Sequence, residues 1–337
     1  AVHQLSFSPL QLDPKFYAYG SLPFYVTRAV CSLLGNAFPW FLSWDGILLT
    51  GRVLSAAWGS LACVLLALLG RRLFGERAGL LAGLFLAGAV FHVQNSHFAT
   101  NDVPLATLVL ATFLLLARAL DRGTAGAFLL AGAVAGLALA TKASAATLLL
   151  PLGLAPLLLY ARTRRAYDLF ASAAAAGLGF VVAYLVGQPY AILAWRDFLA
   201  GVGEQGRMVR NAGTVPYTNQ YVGVPKVLYD LKELVFWGLG PALGLAALAG
   251  VAGRLRALFR DRDPREILLW SWAVPFFAVT ASFDVKFPRY LLPLYPALLL
   301  AAGWLLAARD EEARWRTLTR RTVLVLSGTY LLAFLSI

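Results

Sequence analysis

The chain has 337 residues, of which 60% are hydrophobic and only 14% charged, with a formal net charge of +12. A soluble domain carries roughly a quarter charged residues, so a water-soluble globule of this composition is excluded. The excess of 29 Lys and Arg over 17 Asp and Glu is not read as a nucleic-acid signal, because in an apolar chain basic turns hold the cytoplasmic side of a membrane.

In chain order, a polar first segment (1–45) is followed by apolar runs of about 20 residues, each long enough to cross a hydrocarbon layer of about 30 Å. Ten such runs are expected, at roughly 46–69, 78–97, 103–120, 124–141, 144–161, 169–187, 234–253, 266–282, 290–308 and 321–337. The fold class is therefore all-α: a polytopic transmembrane bundle of about ten spans, with outward-facing loops carrying short interfacial helices. Its expected parts are a first outer loop (1–45), a first set of spans (46–187), a long outer loop (188–233) and a second set of spans (234–337). Residues 21–43 are apolar enough to suggest an eleventh span. Arg28, Asn36 and Gly35 argue instead for a helix lying on the membrane. The two cysteines, Cys31 and Cys63, support neither a disulfide framework nor a zinc site, and Cys63 reads as a small packing residue within a span.

The basic residues set the orientation. Of the 29, 18 fall in the short turns 70–77, 118–123, 161–167, 254–265 and 309–321. Alternation of ten spans puts these turns on one side, read as cytoplasmic. The turns 98–102, 142–143 and 282–289 then face outward with both long segments. Residue 1 is Ala rather than Met and falls outside, with no signal segment to carry it there, and the last run stops at Ile337 without a polar anchor. A piece of a longer protein is the expectation, and no internal repeat of the transporter kind is visible.

Polar residues gather at the outward mouths: Arg52, the stretch "HVQNSHFATND" at 92–102, Lys142, "GQPY" at 187–190, and Asp284, Lys286 and Arg289. A charge at bilayer depth costs at least about 2.5 kcal/mol, so such residues usually line a cavity or a site. Asp102 stands just before an apolar helix with Pro104 in its first turn, where it is either an N-cap or a functional carboxylate. Lys142 sits at a helix–helix junction among small residues, where it either snorkels to the interface or lines a polar crevice. Lys286 and Arg289 share a face if a helix begins there. An Arg fork beside an ammonium suits a phosphate, and contact with anionic headgroups is the simpler reading.

Several stretches, in order, carry a resemblance: "LDPKFYAYGSLPFYVTR" at 12–28, "GRVLSAAWG" at 51–59, "GRRLFGERAGLLAG" at 70–83 and "FHVQNSHFATNDVPLA" at 91–106. They continue with "GLALATKASAATLLLP" at 136–151, "QPYAIL" at 188–193, "FWGLGPALGLAALAG" at 236–250 and "VKFPRYLLPLYP" at 285–296. Together they resemble the membrane-embedded glycosyltransferases of the protein mannosyltransferase and aminoarabinose transferase group, family 39, of GT-C architecture. The match looks closest to the bacterial phospholipid-carrier-dependent type.

The resemblance implies an inverting, base-assisted transferase at the outer face of a bacterial plasma membrane. Its donor would be a polyprenyl-phosphate-linked sugar and its acceptor a protein, lipid or glycan. Lys286 and Arg289 match the family's basic K-x-x-R-Y region, so the donor phosphate is expected at Lys286 and Arg289, with Lys142 and Arg52 as further candidates. Asp102 matches an acidic position of the second outer loop and is the supporting catalytic candidate. The family's catalytic Asp–Glu pair is expected immediately upstream of Ala1, and Asp13 is not promoted to replace it. Some relatives use a divalent metal, for which His97 and Asp102 are the candidate ligands. The partners expected are thus the lipid-linked sugar, an acceptor and membrane lipids, with no nucleic acid. The alternative is a lipid or solute transporter without chemistry, which predicts polar residues continuing towards the cytoplasmic face.

Overall fold

The computed structural model describes residues 1–7, 10–307 and 314–336. A minimal antiparallel pair, β1 (Ser6–Phe7) and β2 (Leu10–Gln11), lies near its start. Every later element among the described residues is a helix. The elements are α1 (Leu22–Gly35), α2 (Trp44–Phe74), α3 (Glu76–Gly88), α4 (Val90–Ser96), α5 (Asp102–Arg122), α6 (Ala125–Leu139), α7 (Leu149–Thr163) and α8 (Ala166–Gly187). They continue with α9 (Tyr190–Leu193), α10 (Trp195–Arg210), α11 (Leu228–Lys232), α12 (Pro241–Asp261), α13 (Pro264–Ser282), α14 (Tyr295–Ala307) and α15 (Arg314–Leu335). Two 3₁₀ segments, Ala143–Leu148 and Pro288–Leu294, run directly into α7 and α14.

Among the described residues, seven helices are long and apolar enough to cross a membrane, and eight if the bent pair α3–α4 counts as one span. The protein is a multi-pass membrane protein, and its all-α bundle is as expected. Each of the ten predicted runs holds a helix, but not each is a simple span. The run at 78–97 breaks by 61° between α3 and α4. α6 is only 15 residues long, and Pro275, Arg265 and Glu266 dilute the apolar character of α13. The run expected at 234–253 is displaced: a π-helical turn occupies Glu233–Gly238, and α12 starts afresh at Pro241. The cause is the Gly240–Pro241 pair, in which Gly240 takes φ +81° and Pro241, lacking an N–H, opens the next helix. α1, at 14 residues, reaches about 21 Å at 1.5 Å per residue, short of a crossing. The basic turn at 309–321 and the end at Ile337 fall partly outside the described residues.

Because lipid is as apolar as leucine, helices in a bilayer associate through close packing of small residues. α6 and α8 show this directly. A Cβ on Gly132 would stand 2.0 Å from the Ala176 carbonyl oxygen, and one on Gly179 would stand 2.1 Å from that of Leu129. The centre of the bundle is formed by α5 and α14, buried along nearly their whole lengths.

The two ends of the bundle carry different chemistry. At one end Arg265 and Arg72 meet Asp121, at 2.7 and 3.6 Å, and Arg254 grips Glu266. At the other end the first segment, the 98–102 and 142–143 turns, the 188–233 segment and the 282–289 turn are joined by the contacts described next.

Candidate functional site

The site begins with α5. Its first residue is Asp102, and Asn101 before it is the cap position. Asp102 is 4% exposed, so its carboxylate is held inside the protein rather than in water. Lys142 meets it from the α6–α7 junction: its Nζ donates to Asp102 Oδ1 at 2.5 Å. Arg289, in the 3₁₀ segment leading to α14, brings its Nε to 4.0 Å from Oδ2. Three residues from three separate parts of the chain thus converge, with two cations on one carboxylate.

Aromatic rings wall this cluster. The Lys142 ammonium lies 4.7 Å from the Tyr290 ring centre and 5.9 Å from that of Tyr19, and the Arg289 guanidinium lies 5.1 Å from the Phe287 ring. Ring faces attract cations, most strongly where water is excluded. Tyr19 reaches Lys142 because the first segment docks on the end of α6. The Gly20 and Leu22 N–H groups donate to the Thr141 and Ala140 carbonyls, both at 3.1 Å, and the Ser21 N–H donates to Gln188 Oε1 at 2.5 Å. The approach requires glycine, since a Cβ on Gly20 would fall 1.9 Å from the Ala140 oxygen.

The other expected residues are placed differently. Lys286 does not share a face with Arg289, because the 3₁₀ segment starts only at Pro288. Its side chain is buried, and its Nζ donates to Asp230 Oδ2 at 2.7 Å and to the Ala281 carbonyl at 2.6 Å. Burial raises the Asp230 carboxyl above the usual carboxylate range, and the Lys286 hydrogen bond works in the opposite direction. The Arg52 Nε donates to the His97 carbonyl at 2.8 Å, tying α2 to the turn after α4. Asp13 is held in a local turn by Lys15 Nζ at 2.7 Å and the Tyr17 hydroxyl at 2.6 Å. Burial opposes its ionisation, yet the Lys15 and Tyr17 hydrogen bonds leave its carboxyl below the usual range.

The expected metal ligands do not fit a metal. Among the described residues no three His, Cys, Asp or Glu side chains come together as a metal site requires. Both Asp102 oxygens face cations, and the His97 Nδ1 is 2.7 Å from the Val93 carbonyl. Asp230, Tyr19 and Tyr290 were not anticipated. Asp230 is one acid in a polar segment, and nothing in its immediate sequence pairs it with a lysine 56 residues later.

The model of the dolichyl-phosphate-mannose-protein mannosyltransferase family matches residues 47–186. No curated protein matches the chain in a sequence comparison. Among solved structures, the chain is similar to the oligosaccharyltransferase AglB from Archaeoglobus fulgidus in complex with an inhibitory peptide and a dolichol-phosphate. Identity there is 13%, the TM-score 0.64, and coverage 99% of this chain and 50% of that one. It is also similar to ArnT from Cupriavidus metallidurans bound to undecaprenyl phosphate, at 20% identity and a TM-score of 0.62, covering 93% of this chain and 54% of that one. A further A. fulgidus oligosaccharyltransferase structure, a complex with Zn and sulfate, matches at 16% identity and a TM-score of 0.57, covering 97% and 48%. The fold is that of the membrane glycosyltransferases of GT-C architecture. The chain spans about half the length of the solved structures it matches.

Proposed function

We propose that this chain is the membrane-embedded part of a glycosyltransferase that moves a sugar from a polyprenyl phosphate to an acceptor at the outer face of a bacterial plasma membrane. The observation that carries the reading is the Asp102–Lys142–Arg289 cluster. Two cations on one buried carboxylate leave one positive charge in excess, beside the start of a helix whose free N–H groups also favour an anion. A lipid phosphate brings the complementary charge to that depth.

Transfer breaks the bond between the anomeric carbon and the phosphate oxygen as an acceptor oxygen attacks from the opposite face, inverting the anomeric centre. The electron pair leaves with the polyprenyl phosphate. Arg289 and Lys142 stabilise the charge that builds there, and this preorganised term is usually the largest in catalysis. Asp102 holds the two cations in place. With its oxygens facing them, it is not free to take the acceptor's proton, which goes to a separate general base. Lys286 belongs to the frame around the site, not to the phosphate contact. Among the described residues no group of three His, Cys, Asp or Glu side chains comes together to hold a divalent metal, and the steps above are assigned to this chain's own side chains.

The test is to supply full-length protein in nanodiscs with a polyprenyl-phosphate sugar and a hydroxyl acceptor. Sugar transfer with inverted anomeric configuration, read by NMR, is the expected result. Carriage of the intact lipid across the bilayer without bond cleavage would replace this reading with the transporter.

A further inference from the structure

The turn that carries Arg289 is strapped to the long outer segment at several points. Lys286 is 2% exposed and paired with Asp230. Lys226 meets Asp284 at 2.6 Å, and the Asp284 and Val285 N–H groups both donate to the Val209 carbonyl, at 3.0 and 3.1 Å. Phe287 packs edge-on against Tyr221 at 5.4 Å and lies 6.2 Å from Tyr217. The same Phe287 ring carries the Arg289 guanidinium.

Between the two ion pairs the outer segment is strained. Val227 has φ +64° and ψ −55°, and the Leu228 N–H reaches back to the Lys226 carbonyl at 2.6 Å. This is a γ-turn of the rare, strained hand, centred on a β-branched residue for which positive φ is an outlier. Such a conformation persists only where its surroundings over-determine it, and such sites gather at ligand clamps. Here the surroundings are Lys226–Asp284 on one side and Asp230–Lys286 on the other.

Resting on the reading of the site given above, we propose that Asp230 and Lys286 are positioning residues. Their buried ion pair locks the 226–230 turn onto the 282–289 turn and so holds Arg289 at Asp102, ready for the donor's phosphate. Neither residue touches the phosphate. They act through Phe287 and Arg289, and the strained turn at Val227 is the consequence of closing the strap from both sides.

The experiment is a double-mutant cycle on full-length protein in nanodiscs, titrated with undecaprenyl phosphate. Asp230→Asn should weaken binding about tenfold in the native background and less than about twofold where Arg289 is already Ala, because residues acting through one another are not additive. A loss of equal size in both backgrounds, or no loss, overturns the proposal. Should Asp230→Asn fail to fold, the Asp230→Leu/Lys286→Met pair, which leaves no buried charge unpaired, enters the same cycle. Hydrogen exchange at the Asp284 and Val285 amides, measured without ligand, gives an independent reading. Exchange accelerated by Asp230→Asn supports the strap, and unchanged exchange overturns it. If undecaprenyl phosphate does not bind the native protein at all, the glycosyltransferase reading fails, and the exchange measurement still decides whether the pair holds the turn.

Discussion

Lys142 and Asp102, 40 residues apart in the chain, meet as a 2.5 Å ion pair at the head of α5, one of the two most buried helices of the bundle. Removing one member of a buried pair leaves the other uncompensated, at a cost of roughly 3–5 kcal/mol. Asp102→Asn should therefore lower turnover by about 100-fold or more, the scale of a lost electrostatic contact at a reacting centre. A residue that served only as a cap would tolerate the change, because Asn caps as well as Asp. Lys142→Gln alone and the Asp102→Asn/Lys142→Gln double should give similar losses, measured as kcat of folded, purified protein.

The contacts joining 102 to 142 and 289, and 209 to 284 and 285, place these turns at one end of the bundle. Single cysteines at Ala99, Thr214 and Ser282 should all react with an impermeant thiol reagent on intact cells, and one at Ala166 should not. Native Cys31 is buried and Cys63 partly so, which keeps the background low. Labelling that divided the first three would reverse the orientation of at least one span.

At the opposite end, Arg254 is buried against Glu266, with Nε donating to Oε2 at 3.0 Å, and its guanidinium lies 5.0 and 4.7 Å from the Phe74 and Trp304 rings. Glu266→Gln should destabilise the protein by about 3 kcal/mol, the lower end of the range for a broken buried pair, because Asp261 remains 3.6 Å away. Thermal unfolding in detergent measures it against Glu204→Gln, an exposed change expected to move stability by about 0.5 kcal/mol or less.

The ten helical runs were legible because lipid demands about 20 apolar residues per crossing, and the polar mouths were legible because charges there are costly. Asp102, Lys142 and Arg289 stand out on that ground, together with Arg52, Asp284 and Lys286. The break at Ala89 was not legible, since nothing between Gly88 and Val90 forbids a straight helix. The restart at Pro241 was overlooked, although Gly240–Pro241 announces it. Lys286 is the subtler case. Spacing of three implies a shared face only inside a helix, and the helical segment begins two residues too late for it. Its true partner, Asp230, is set by how two distant loops pack, which local sequence does not encode.

The central claim is that Arg289 and Lys142 grip a phosphate rather than lipid headgroups at large, and the fork geometry of arginine makes it testable. Nonspecific headgroup attraction is worth about 1 kcal/mol per cation and is indifferent to its shape, whereas a bidentate grip is not preserved by lysine. The deciding measurement is kcat/KM of full-length protein with a polyprenyl-phosphate sugar for Arg289→Lys, compared with Arg207→Lys, an exposed position in the 188–233 segment. A fall of about 30-fold or more at Arg289 with less than about twofold at Arg207 is predicted. Equal, mild effects at both positions would contradict the account.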